Sequence, residues 1–181
     1  MIKDKIVKSQ TREWVESIII AVILALVIRA FVVQAFKIPS GSMIPTFQVG
    51  DRIFVNKFLY GAKIPFTDMR LPALRQPKRG DIIVFRSPED GKKDFVKRLI
   101  ATEGETVEIR DGKIYVDNKV VYEPASISGV YYYNCGDYGG QSQVVKVPKD
   151  SYYALGDNSS SSRDSRYWGF VPKKNLIGKV I

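Results

Sequence analysis

Ser42 is the side chain whose setting best suits nucleophilic chemistry. It lies in Ile38-Pro39-Ser40-Gly41-Ser42-Met43-Ile44-Pro45-Thr46-Phe47, where two prolines fix φ and remove backbone donors while Gly41 permits a φ that other residues resist. A loop with so few shapes can hold an attacking hydroxyl. Serine is a weak nucleophile until a base takes its proton, and the chain has no histidine. That excludes Ser-His-Asp and Cys-His chemistry and His-containing zinc sites. The Asp-Thr/Ser-Gly pairs of an aspartic protease are missing too, so a lysine base is the main survivor.

A lysine in water, with a pKa near 10.4, is unprotonated less than about 1% of the time near pH 8. To act as a base it must be desolvated, and lowering its pKa by about 3 units corresponds to roughly 4 kcal/mol against the charged form. In Asp94-Phe95-Val96-Lys97-Arg98-Leu99-Ile100-Ala101, strand alternation sets Lys97 on the face of Phe95 and Leu99. Arg98 is flanked equally well by Val96 and Ile100, but a guanidinium is no usable base. The same pattern fits an edge-strand lysine that discourages strand pairing, and spacing leaves both readings open.

Something must position these residues. Ile18 to Ile28 contains no polar residue, and the apolar stretch extends from Val15 to Ala35. This predicts a single membrane anchor over 15–35 after a polar segment at 1–14. Two alternatives are a removed signal peptide, with Val33-Gln34-Ala35 as a small-x-small cleavage pattern, and a buried helix of a soluble body. The nine residues from Val33 to Ser42 span at most roughly 30 Å, so an anchored chain would hold Ser42 near the bilayer surface. The net charge of +9 is spread along the chain without an arginine-rich block or zinc-finger spacing, which favours anionic lipid over nucleic acid as its partner. The apolar, basic stretch from Phe58 to Arg79, broken by Pro65, Pro72 and Pro77, either dips into the headgroup region or packs on the body as an extended connection. The single Cys135 cannot form an intramolecular disulfide.

Beyond the anchor the pattern is β. Strands are predicted at Arg52 to Asn56, Asp81 to Phe85, Asp94 to Ala101, Val107 to Arg110, Lys113 to Val116, Gln143 to Val147, Tyr152 to Leu155 and Leu176 to Ile181. Asp111-Gly112 makes a type I′ hairpin turn. Residues 122 to 142 read as an exposed loop or a small accessory sheet.

Four blocks carry a resemblance that runs from the anchor to the C-terminus: Ser40-Gly41-Ser42-Met43 with Pro45-Thr46, Arg79-Gly80-Asp81-Ile82-Ile83-Val84-Phe85, Val96-Lys97-Arg98-Leu99-Ile100 with Gly104-Glu105, and Gly156-Asp157-Asn158 to Asp164-Ser165-Arg166 with Trp168-Gly169. In this order they resemble the bacterial-type type I signal peptidases, membrane-bound Ser-Lys enzymes that remove signal peptides from exported proteins. The resemblance implies Ser42 as nucleophile, Lys97 as general base, and Ser40 with the Ser42 amide as oxyanion donors. It also implies that Ser162, or Ser161 if the serine run shifts, orients the lysine, with Asp164 and Arg166 behind the site. Ile38, Pro39, Met43, Phe95 and Val96 would bind the substrate, a preprotein signal peptide with small side chains at the first and third positions before the cut.

The implied fold is mainly antiparallel β, with a catalytic subdomain at 36–103 and 149–181 and a smaller inserted one at 104–148. The implied location is a bacterial plasma membrane, catalytic body on the outer face, or a thylakoid-type membrane. No metal or organic cofactor is implied. Two rivals have sequence tests. A self-cleaving Ser-Lys regulator would carry a DNA-binding helix pair and an internal Ala-Gly site, both absent here. A non-enzymatic anchored β module binding anionic lipid would leave the Ser40, Ser42 and Lys97 spacing as coincidence.

Overall fold

The computed structural model describes residues 10–65, 67 and 69–181. Most of the polar N-terminal segment, residues 1–9, and Phe66 and Asp68 of the basic loop lie outside the described residues. Helix α1 spans Gln10–Phe31, about 33 Å of helix against a hydrocarbon core of about 30 Å. It starts before the apolar run because Arg12 pairs with Glu16 one turn on and Ser17 Oγ donates to Glu13 O. It ends before Ala35 because the chain is captured as a strand, β1 (Val33–Lys37), which the sequence reading had placed partly in the anchor. No residue of α1 is buried, so the core-helix alternative fails.

The remaining elements are β2 (Arg52–Asn56), β3 (Ile82–Arg86), β4 (Asp94–Ala101), β5 (Thr106–Arg110), β6 (Lys113–Val116), β7 (Lys119–Val120), α2 (Ala125–Ser128), β8 (Val145–Lys146), β9 (Ser151–Leu155), α3 (Ser165–Trp168), β10 (Val171–Pro172) and β11 (Leu176–Val180). They form a seven-stranded antiparallel sheet, β1-β2-β11-β3-β4-β9-β10, and a four-stranded one, β7-β6-β5-β8. The mainly antiparallel β architecture is as expected. Asp111 and Gly112 have φ of 50° and 72°, as a type I′ turn requires. The expected loop at 122–142 holds α2 and the buried Tyr132. Ile100, Tyr153 and Leu155 of the large sheet share one apolar core with Val107, Ile109 and Ile114 of the small one, so the two sheets are packed together.

Strand β4 is interior. It pairs with β3 from Asp94 to Arg98 but with β9 only from Arg98 onward, which leaves the β9 side of residues 94–97 open. The stretch from Phe58 to Arg79 packs on the body: Tyr60, Ala62 and Pro77 are buried, and Arg70 donates to Gly61 O and Leu176 O. Its anchor point is Asp81, which accepts from Tyr60 Oη (2.7 Å), both Arg75 Nη atoms (2.9 and 3.1 Å), the Lys78 amide (2.9 Å) and Lys179 Nζ (2.8 Å). Burial pushes the Asp81 carboxyl up, but these donors together hold it well below the usual carboxylate range.

A lowered carboxylate pKa stabilises the fold above the unfolded value near 4, and that stabilisation is lost as pH falls through the folded value. Asp81→Asn should therefore cost about 3 kcal/mol at pH 7, a fall of roughly 6–12 °C in Tm for a chain of this size. Thermal melts of full-length protein in detergent should show the gap between variant and wild type narrowing below about pH 4.

Candidate active site

The Ser42 loop is a single 3-10 turn, Gly41–Met43, entered from Ser40 in extended conformation (φ −141°, ψ 159°). Main-chain bonds clasp both ends: Ile38 N donates to Asp51 O, Gly50 N to Ile38 O, and Phe47 N to Met43 O. From the far side Asn158 N donates to Ser42 O (3.1 Å) and Asn158 Nδ2 to Gly41 O (3.0 Å). Gly156 is needed here because a Cβ on it would meet Ser42 O at 2.5 Å and Ser162 Oγ at 2.1 Å. The loop is thus fixed from two directions, with Ser42 mostly buried and Met43 fully so.

Lys97 Nζ lies 2.6 Å from Ser42 Oγ, although the two residues are 55 apart in sequence. The side chain is 2% exposed, so the edge-strand reading fails: Lys97 points inward. Its ammonium is 5.7 Å from the Phe95 ring centre. Burial lowers its pKa from 10.5 to about 8, while the charges of Asp164 and Asp157 act to raise it and Arg166 to lower it. A hydroxyl in hydrogen-bond contact with an amine that is neutral in part near pH 8 is an arrangement able to transfer the hydroxyl proton.

Two buried ion pairs stand around this contact. Arg166, with no exposed surface, binds Asp164 through Nε and Nη2 (both 2.8 Å) and also donates to Tyr133 O, Ser159 Oγ and Ser159 O. Asp164 caps α3 and accepts from the Gly156 amide. Arg98 binds Asp157 at 2.8 and 2.6 Å, and Asp157 accepts from Thr46 Oγ1 at 2.5 Å. Thr46, Arg98, Gly156, Asp157 and Asn158 lie within the blocks that carry the resemblance, but local pattern assigns them no role. Arg98 cannot be a base. The burial of its side of β4, flanked by Val96 and Ile100, was the signal that its charge needed a partner.

Of the expected site residues, Ser40 is exposed at the groove beside Ser42. Ile38, Pro39, Met43, Phe95 and Val96 all line that groove, a cavity of about 490 Å³ that reaches Lys97. Its walls are the open edge of residues 94–97 and the segment that continues the edge strand β1. Ser162 is buried, and its Oγ has no hydrogen-bond partner among the described residues; the bond that orients Lys97 Nζ here is the one to Ser42. Ser161 is exposed. No cluster of metal-ligating side chains occurs among the described residues.

Residues 11–181 match the family model described as signal peptidase, peptidase S26. A signal peptidase I of Pseudomonas aeruginosa is 33% identical, over 93% of this chain and 70% of its own. A probable signal peptidase I-2 of Synechocystis is 40% identical, over 92% of this chain and 71% of its own. The crystal structure of a signal peptidase I from Enterococcus faecalis superposes with a TM-score of 0.51 at 33% identity, covering 60% of this chain and all of that one.

Because Lys97 binds its proton less tightly folded than unfolded, the unfolded chain carries more protons between about pH 8 and 10.5, and stability must rise with pH across that window. Below pH 8 the folded state bears the whole cost of the buried charge, about 3 kcal/mol. Lys97→Met, which keeps length without charge, should therefore melt several degrees higher than wild type at pH 6. Melts at a series of pH values should show that advantage shrinking toward pH 10.5. A variant less stable than wild type at every pH would contradict the burial cost.

Proposed function

The chain belongs to the peptidase S26 family of signal peptidases, and from that premise we propose that it is a membrane-anchored serine endopeptidase that cuts signal peptides from exported preproteins. The observation that carries the site assignment is the 2.6 Å contact between Ser42 Oγ and Lys97 Nζ at the floor of a groove walled by two strand edges. Neutral Lys97 takes the Ser42 proton as Oγ attacks the carbonyl carbon of the scissile peptide. The oxyanion that forms is held by the Ser42 N–H and the Ser40 hydroxyl, two donors to the developing charge. Lys97 then passes its proton to the leaving nitrogen, the C–N bond breaks, and an acyl ester on Ser42 remains. Water attacks that ester, Lys97 takes a proton from the water, and Ser42 regains one as the carboxylate leaves. No step uses a metal or a cofactor.

Specificity follows from the groove. An extended peptide lying between residues 38–40 and 94–96 completes the unpaired edges with main-chain hydrogen bonds. Ile38, Met43 and Val96 leave shallow apolar space that admits an alanine-sized side chain and excludes larger ones by overlap. Ser162 contributes by turning its unpaired Oγ toward Lys97 once the Ser42 hydroxyl has reacted. Asp164 and Arg166 hold the loop that carries it. With α1 as the anchor in a bacterial plasma membrane, or a thylakoid-type one, the body works at the surface in which the substrate is also inserted, and confinement to one surface raises their effective concentration.

Ser42→Ala and Lys97→Ala should each reduce precursor cleavage to background with the melting behaviour of a folded protein. Lys97→Arg should fail as well, because its charge is permanent. Ser40→Ala should slow turnover on the order of 10²-fold, since the backbone donor remains. The wild-type rate should rise with pH and level off above about 8. Near-normal cleavage by any Lys97 variant would remove it as the base.

A further inference from the structure

A second cavity, of about 440 Å³, opens where α1 meets the sheet. Lys57, Lys63, Arg86 and Lys174 line it, with Asp94 the one carboxylate among the described lining residues. Lys57 sits at the C-terminal end of α1, its Nζ 3.1 Å from Arg29 O. Arg86 is paired with Asp94 at 3.1 Å across β3 and β4, which uses up that carboxylate. Lys174 is exposed and its ammonium has no carboxylate partner among the described residues. With Asp94 engaged by Arg86, the ammonium groups of Lys57 and Lys174 leave the described part of this concave site positive.

The pocket's height and its other walls identify the anion. It includes Ala30, in the last turn of the apolar helix, so when α1 spans a bilayer the cavity lies at the level of the headgroups. Phe36, Leu176 and Ile177 line it together with the cations, a mixture that suits an amphiphile better than a free ion. Gln34 offers an acceptor group beside the cations, which suits a headgroup hydroxyl. We infer that this cavity binds the phosphate headgroup of an anionic phospholipid of the surrounding leaflet. Phe36 and Asp94 belong both to this cavity and to the groove at Ser42, so a lipid held here sits at the membrane-facing end of the substrate groove. The inference rests on the anchored reading of α1 but not on the assignment of Ser42 and Lys97.

Native mass spectrometry of the full chain, released from neutral detergent micelles containing phosphatidylglycerol or phosphatidylcholine at equal mole fraction, reads the bound lipid directly. Phosphatidylglycerol should be retained at least about fivefold over phosphatidylcholine. Lys174→Gln should weaken that retention about fivefold, and Lys57→Gln with Lys174→Gln together about 25-fold, the weight of one near-surface cation applied once or twice. Lys174 is exposed and its side chain makes no bond among the described residues, so the single variant carries the test even if the double variant folds poorly. Cleavage of a short soluble peptide by Lys174→Gln should equal that of wild type. Equal retention of the two lipids, or wild-type retention in the Lys174 variant, would overturn the inference. Displacement of the lipid by inorganic phosphate at equal concentration would also overturn it, making the cavity a free-phosphate site.

Discussion

An amine can serve as a base near neutral pH only where water cannot solvate its charged form, and the placement of Lys97 meets that condition. Its strand is interior, its side chain is turned inward, and its Nζ touches Ser42 Oγ at 2.6 Å. The cost of the buried ammonium, about 3 kcal/mol, is a large share of the 5–15 kcal/mol by which domains of this kind are stable. Such a cost persists only where the surrounding fold is firm, and the seven-stranded sheet with its packed neighbour provides that firmness.

Electrostatics around the lysine are arranged so that burial decides its pKa. Asp164 and Asp157 would hold the proton on Lys97 if either charge stood alone, since an opposite charge nearby favours the charged form. Each is instead bound through two nitrogens by its own arginine, Arg166 and Arg98. The two pairs present little net charge to the lysine. They also fasten the pieces of the site to each other: Asp157 reaches Thr46 beyond the serine turn, and Asp164 reaches the Gly156 amide. One set of buried bonds therefore fixes the position of the serine and shields the lysine from unpaired carboxylates.

How much of this was legible in the sequence varies with the range of the interactions involved. The hairpin at Asp111-Gly112 and the strand carrying Lys97 were readable because turn chemistry and alternation are local. Strand β1 was not, because Val33 and Ala35 continue the apolar composition of the helix, and only pairing with Asn56 to Arg52 makes them a strand. The two-residue strand β10 likewise exists through its partner, Tyr152. Within the site, Ser42 and Lys97 stood out by residue type and neighbourhood, whereas Gly156 and Asn158 did not. Their part depends on a backbone approach between segments more than 110 residues apart, for which no local pattern exists. The resemblance to the signal peptidases supplied what spacing alone left open, the choice of Lys97 over an edge-strand reading.

Whether the fold strips the charge of Lys97 of water, as a base at this position requires, can be read by titrating that one amine. The full chain in detergent, carrying lysines enriched with 13C at Cε, can be followed by NMR from pH 6 to 11, with Lys97→Arg identifying the resonance by its loss. The expected midpoint for this lysine is near 8, well below the cluster of exposed lysines near 10.4. A Lys97 resonance that titrates with that cluster would contradict it.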